Sequence, residues 1–396
     1  MLYQREVLGS IKKVLTRDEF VILTGPRQVG KTSILTMLKM HIEENGGHCS
    51  YFNLENPEYL KILNKHPFNI FELIPSGKTK RNIFIDEVQY LDDPTNFLKL
   101  LYDEKRNDIK IIASGSSAFY IDKKFKDSLS GRKFLFEVLP LNFDEFLIFN
   151  RQQDLFKQKK AKLTVYYKQK LLGLWEKYLE YGGYPKVALA EDDDTRRIVL
   201  EEIGSSYIKK DIADAGIKNT ERYFSLLKIL AEQTGQLVNS QELANTLKIA
   251  HKTVDEYLYV MKKSYQVAFV RPFYGNLRKE LTKMPKVYFF DLGLRNFFLN
   301  NYNLPQKRQD KGAFLENIVF QELLRKTNNP DKIKFWRTQD RHEVDFVVDK
   351  EAFEVKFDSH SAAKKVYAEF IKQYPQIKFD FLAYKDILEK FYGWKV

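Results

Sequence analysis

A single cysteine, Cys49, excludes internal disulfides and fits a reducing, cytoplasmic compartment. Glycine and proline are sparse, 18 and 12 in 396 residues, and there is no low-complexity tract or internal repeat. No stretch approaches the roughly 18 uninterrupted apolar residues of a membrane span. Residues 1–6 show no apolar signal-peptide core, so a soluble intracellular protein without a membrane partner is expected. Acidic residues are in deficit: 53 Asp+Glu face 65 Lys+Arg, a formal charge of +12. That excess favours an anionic partner, with nucleic acid (DNA) ahead of a membrane surface. The rest is ordinary for a globular chain, 44% hydrophobic and 30% charged, and the length allows about two to four domains.

Against this plain background, Gly25-Pro26-Arg27-Gln28-Val29-Gly30-Lys31-Thr32-Ser33 matches G-x-x-x-x-G-K-[ST], the phosphate-binding loop of nucleoside triphosphatases. Gly25 and Gly30 permit backbone angles closed to other residues, so successive N–H groups can turn toward a phosphate. Lys31 supplies a charge for the β- and γ-phosphates, and Thr32 offers a hydroxyl to Mg²⁺. The apolar run 20–24 precedes the loop and a helical pattern follows from 34. Strand, loop and helix N-terminus in that order is what phosphate binding requires.

About 55 residues on, Ile83-Phe84-Ile85-Asp86-Glu87 is an apolar strand ending in two carboxylates. Carboxylates at the end of a buried strand need compensation. Mg²⁺ on ATP would provide it at Asp86, and Glu87 is placed to polarise the attacking water. A third strand, 109–113, runs into Ser114-Gly115-Ser116-Ser117, and Leu129-Ser130-Gly131-Arg132 sets a guanidinium after a flexible glycine. Arg132 could reach a neighbouring subunit's γ-phosphate, which would require a homo-oligomer. Strands are expected at 19–24, 50–54, 82–86, 109–113 and 133–138, alternating with helices as a parallel α/β sheet requires.

The chain then changes character. Residues 151–180 are Lys/Gln-rich and read as a solvated helix or linker, and Tyr181-Gly182-Gly183-Tyr184-Pro185 is a break. Over 239–271, a helix capped by Ser240, a tight turn, a helix opening at His251-Lys252-Thr253 and a β-rich run give the shape of a winged helix-turn-helix. The domain expectation is 1–150, 151–235, 236–300 and 310–396.

The last segment holds a second constellation. Asp345 lies inside an otherwise apolar strand, 344–348, and Phe353-Glu354-Val355-Lys356-Phe357 alternates apolar and charged residues. Residues two apart share a strand face, so Glu354 and Lys356 point together, and a hairpin across 349–351 would bring Asp345 near both. Two carboxylates and a lysine in an apolar setting read as a divalent-metal site. Arg337 is a candidate phosphate contact, and His342 reads as a surface bystander.

The D…E-x-K pattern with Glu316 on a preceding helix resembles the PD-(D/E)xK nucleases, although Val344 stands where that motif has proline. The resemblance implies Mg²⁺ or Mn²⁺ held by Asp345 and Glu354, with Lys356 assisting the nucleophile and Glu316 as an accessory acid. Together with Phe84-Ile85-Asp86-Glu87-Val88-Gln89, Gly182-Gly183-Tyr184-Pro185, Lys286-Val287-Tyr288-Phe289-Phe290-Asp291-Leu292-Gly293 and Trp336-Arg337, the loop and this cluster resemble prokaryotic, archaeal-type AAA+ ATPases. Those proteins fuse an ATPase to a nuclease-like domain of unknown function. The resemblance implies ATP binding and hydrolysis, with Ser114 or Ser116 sensing the γ-phosphate. It also implies a winged-helix connector and a restriction-endonuclease-like α/β domain that acts as a nuclease or only binds DNA or a protein.

Overall fold

The computed structural model describes residues 2–75, 79–115, 129–159, 163–274, 277–338, 340, 342–357 and 367–395. The chain divides into two compact units, Met1–Pro140 with Lys263–Tyr265, and Leu141–Lys262 with Gln266–Val396. Five apolar runs of unit 1 form strands close to the expected positions: β1 (Phe20–Thr24), β2 (Cys49–Asn53), β3 (Arg81–Asp86), β4 (Ile109–Ser114) and β5 (Lys133–Glu137). Among the described residues they make one all-parallel sheet in the order β2-β3-β4-β1-β5. Every residue of β1 and β4 is buried, as strands covered on both faces require. The helices Lys31–Glu44, Pro57–Lys65 and Pro94–Lys105 supply the crossovers.

β4 carries one cation into that core. Lys110 is 1% exposed, and its ammonium donates to the carbonyls of Val14 (3.2 Å), Arg17 (2.7 Å) and Glu19. Burial pulls its pKa down to about 8. The three carbonyls belong to the connection between the N-terminal helix Glu6–Lys12 and β1, so Lys110 anchors the chain where it enters the sheet.

Unit 2 corrects two expectations. Residues 165–181 are no solvated linker: the helix Val165–Tyr181 buries Leu171, Trp175, Tyr178, Leu179 and Tyr181 along one face. Trp175 meets Phe143 at 4.9 Å between ring centroids, and Phe143 meets Tyr392 at 5.7 Å. The Lys/Gln content masked an aromatic stripe at helical spacing. The helix Ser240–Leu247 is capped not by Ser240 but by Asn239, whose side chain accepts from the backbone N–H groups of Gln241 and Glu242.

The expected helices at 240–248 and 251–263 form, but the β-run after them does not stand as a separate wing. It becomes β6 (Val267–Pro272), antiparallel to β7 (Lys286–Phe289) and parallel to β8 (Ile333–Arg337). With β9 (Glu343–Val348), β10 (Glu351–Lys356) and β11 (Lys378–Ala383), these strands form a six-stranded mixed sheet among the described residues, in the order β11-β10-β9-β8-β6-β7. β9 and β10 form the expected hairpin, and Asp349 takes the left-handed conformation at φ 51° in its turn. The long helix Lys311–Thr327 packs on this sheet. No helix of the described residues is long and apolar enough to cross a membrane.

Replacing Lys110 with Met keeps its bulk but removes the donor shared by three part-buried carbonyls. Lys110→Met is expected to lower unfolding stability by about 1–3 kcal/mol, read as a fall in the urea midpoint at unchanged m-value.

Candidate functional site

The loop from Gly25 to Gly30 leaves the C-terminal end of β1 and opens the helix Lys31–Glu44. Gly25 (φ 143°) and Gly30 (φ 92°) occupy backbone conformations that favour glycine, and a Cβ on Gly25 would lie 2.1 Å from the Val138 carbonyl oxygen. Gln28 adopts φ 63° in the same turn. A residue outside the motif holds the loop: Arg5 donates to the carbonyls of Val29 (2.7 Å) and Leu139 (2.8 Å), joining it to the chain leaving β5. The buried Lys31 ammonium donates to the carbonyls of Gly25 (3.0 Å) and Pro26 (2.8 Å). Arg27 and Gln28 are half-buried, Pro26 and Val29 are buried, and Thr32 and Ser33 face outward on the first helical turn.

Asp86 is the centre on which the neighbouring elements converge. It is 2% exposed at the end of β3. Its Oδ2 accepts from the Thr32 hydroxyl at 2.7 Å and from the Tyr51 hydroxyl at 2.8 Å. Its Oδ1 accepts from the Ser114 hydroxyl. The bonded hydroxyls therefore come from the loop helix, β2 and β4. Burial and the Asp86 charge push the Tyr51 phenol well above its ordinary range, so it stays a donor. Glu87 follows in a left-handed conformation (φ 60°), its N–H meets Ser114 Oγ at 3.2 Å, and its carboxylate accepts from the Gln89 amide. Tyr51 and Arg5 escaped the sequence reading because neither lies at motif spacing, and Gln89 entered it only within the resemblance segment 84–89.

Ser114 is thus beside Asp86, whereas Ser116 and Ser117 lie outside the described residues. Arg132 precedes β5, whose Lys133 pairs with Phe20, while the phosphate loop leaves after Thr24. Roughly 13 Å of strand separates the two ends at about 3.3 Å per residue. The Arg132 guanidinium is engaged with Asp103 at 2.6 and 3.2 Å, away from its own phosphate loop.

In unit 2 the expected residues meet, but around an unexpected cation. The β9–β10 register sets Phe353 opposite Phe346, and Val355 N–H donates to Asp345 Oδ2 at 2.9 Å. Glu354 pairs with Lys356 at 2.6 Å. The Lys286 ammonium of β7, 2% exposed, reaches Glu343 (2.5 Å), Glu316 (3.5 Å) and Asp345 (3.6 Å). Tyr288 donates to Glu316 Oε2 at 2.8 Å, and Arg337, the candidate phosphate contact, donates to Glu343 Oε2 at 3.1 Å. Burial pushes Glu316 up to about 8 and Glu354 up to about 7, and it also raises Asp345. Burial works against the Lys286 charge, but Glu316, Asp345 and Glu343 outweigh it and hold the ammonium above its ordinary pKa.

At the divalent site expected at Glu316, Asp345 and Glu354, the Lys286 ammonium therefore lies on Glu316 and Asp345, while Glu354 keeps one buried oxygen, Oε2, without a hydrogen-bond partner. Among the described residues no group of three or more His, Cys, Asp or Glu is arranged to hold a metal ion. His342 pairs with Glu369 at 3.3 Å on the surface. His251, expected to open a DNA-facing helix, is hydrogen-bonded to Ser240 at 2.7 Å and lies 3.4 Å from Asp255.

Comparison with known proteins matches three segments of the chain. Residues 17–147 match the AAA domain family, which covers all of β1–β5. Residues 172–304 and 311–386 match two families described as domains of unknown function, DUF8612 and DUF4143. The chain is 27% identical over 399 residues to an uncharacterized protein of Methanocaldococcus jannaschii, covering 94% of this chain and 86% of the relative. It is also 27% identical over 379 residues to an uncharacterized protein of Haemophilus influenzae, covering 91% and 89%. Solved structures overlap loosely. The ADP form of the Aeropyrum pernix ORC2 protein gives a TM-score of 0.38 at 12% identity, covering 66% of this chain and 85% of that one. The replication initiator DnaA bound to AMPPCP and single-stranded DNA gives 0.33 at 16%, covering 66% and 88%. Overlaps that low assign no partner or activity. The AAA match and the site together give residues 17–147 the fold and phosphate loop of a P-loop nucleotide-binding domain.

A Cβ at residue 25 would meet the Val138 carbonyl and a strained backbone at once. Gly25→Ala is expected to cost roughly 1–3 kcal/mol of loop strain. The measurement is titration with a fluorescent ATP analogue, where wild-type affinity in the variant would contradict the loop geometry.

Proposed function

We propose that unit 1 binds Mg²⁺-ATP and hydrolyses it, and that this cycle acts on, or is governed by, nucleic acid. The observation that carries the hydrolysis reading is the Asp86 centre, which draws Thr32 from the loop helix and Ser114 from β4 to one carboxylate beside Glu87. Thr32 and Asp86 would hold Mg²⁺, which supplies charge neutralisation at the phosphates. Lys31 would exchange its bonds to Gly25 and Pro26 for phosphate oxygens, and the N–H groups of residues 25–33 would complete the cradle. Glu87 would accept the proton of the attacking water once its carboxylate leaves the Gln89 amide. Ser114, already on Asp86, would register whether the γ-phosphate is present.

Support for a nucleic-acid partner is the formal charge of +12, together with the helix pair 240–263, whose second helix opens with Lys252 and Thr253 exposed or half-exposed. Metal-dependent cleavage by Asp345, Glu354 and Lys356 is not part of the proposal, because Lys286 already brings a cation to that cluster. Arg132 as a trans-acting finger would require an oligomer and the opening of its Asp103 pair.

Two measurements test this reading. Glu87→Gln should retain ATP binding and lose about 10²-fold or more of steady-state phosphate release, as expected when a positioned base is removed. Equal turnover would reduce unit 1 to a nucleotide switch. DNA affinity, followed by fluorescence anisotropy, should fall linearly in log–log form as salt rises. A flat response, or no binding at low salt, would remove nucleic acid as the partner.

A further inference from the structure

We propose that Lys286 is the resident cation of the unit 2 carboxylate cluster, and that this cluster therefore takes no divalent metal. The argument begins with placement. Lys286 opens β7, two residues before Tyr288, so both side chains leave the same face of the strand and both meet Glu316. The ammonium also reaches Glu343 and Asp345 on β9, spanning three carboxylates from two other elements. The position at which a divalent ion would collect these oxygens is the position the ammonium holds.

Most of the oxygens are also committed, Glu354 Oε2 being buried without a hydrogen-bond partner. Glu316 Oε2 serves Lys286 and Tyr288. Glu343 offers Oε1 to Lys286 and Oε2 to Arg337. Asp345 offers Oδ1 to Lys286 and Oδ2 to the Val355 N–H. Glu354 Oε1 serves Lys356. Mg²⁺ and Mn²⁺ favour about six oxygen ligands in near-octahedral array, and each donor already on a carboxylate would have to leave first.

Charge points the same way. With every carboxyl ionised, Glu316, Glu343, Asp345 and Glu354 face three cations (Lys286, Arg337 and Lys356), a formal sum of −4 + 3 = −1. Here a dication would enter a nearly neutral cluster next to a buried ammonium that is 2% exposed and cannot swing into water without unpacking β7.

The test is Mn²⁺ binding to the full chain without nucleotide, so that the phosphate loop contributes no complete metal site, read by electron paramagnetic resonance. Wild type is expected to take up no Mn²⁺. Lys286→Met should gain uptake tighter by about tenfold or more, because three carboxylates lose their shared cation. Adding Asp345→Asn to Lys286→Met should abolish that gain. Wild-type uptake that disappears in the single variant Asp345→Asn would overturn the proposal, and this arm decides the question even where Lys286→Met does not fold. A folded Lys286→Met that still takes up no Mn²⁺ overturns it as well, since the lysine would then not be what keeps metal out.

Discussion

A carboxylate placed at the end of a buried strand must be matched by donors, and the two units meet that requirement in different ways. In unit 1, Asp86 is matched by hydroxyls from Thr32, Tyr51 and Ser114, which are neutral donors on three elements. Hydroxyls can satisfy the lone pairs of an aspartate without delivering a full positive charge to it. Such a centre remains suited to a cation that arrives with the nucleotide. It also ties the loop helix, β2 and β4 to β3, so the geometry of the phosphate loop and the packing of the sheet depend on the same carboxylate. In unit 2, Asp345, Glu343 and Glu316 are matched by the Lys286 ammonium, which satisfies lone pairs and cancels charge together. The chemical difference between the two sites follows from that choice of donor.

Much of unit 1 was legible because its determinants are local. The apolar runs that become β1, β3 and β4 lie within a residue or so of where hydrophobic patterning sets them. The loop, the two glycines, Lys31 and Thr32 form one short stretch, and their spacing encodes their geometry. Ser114 was legible as a polar residue at the end of an apolar strand. Arg5 and Tyr51 were not, since each touches the site only through the fold: Arg5 by reaching the carbonyls of Val29 and Leu139, Tyr51 because β2 pairs with β3. Composition misled at 165–181, where lysines and glutamines on the outer face hid Leu171, Trp175 and Tyr178 on the inner one.

Lys286 shows the limit more sharply. A lysine at the start of an apolar strand reads as a solvated end, the commonest fate of that residue. Its burial comes from the antiparallel pairing of β6 with β7, the parallel pairing of β6 with β8, and the helix Lys311–Thr327 lying across them. None of these contacts is between neighbours in sequence. The D…E-x-K spacing was read correctly as a convergence of charges, since the β9–β10 hairpin sets Asp345 against Val355 and pairs Glu354 with Lys356. The spacing could not say which cation the carboxylates would meet.

That distinction bears on how such motifs are interpreted. Removing one partner of a buried charge cluster leaves the others uncompensated, at a cost of about 3–5 kcal/mol, whereas replacing the whole cluster with apolar residues can be neutral or stabilising. Single substitutions meet the first cost, and only concerted ones reach the second. Once Lys286 lies among Glu316, Glu343 and Asp345, each carboxylate is held in the sequence by the ion pair it completes, with no catalytic step required. An active-site spacing read from sequence therefore establishes that charges converge. Whether the convergence is reactive is decided by the first cation to fill it, and in unit 2 that cation is part of the chain.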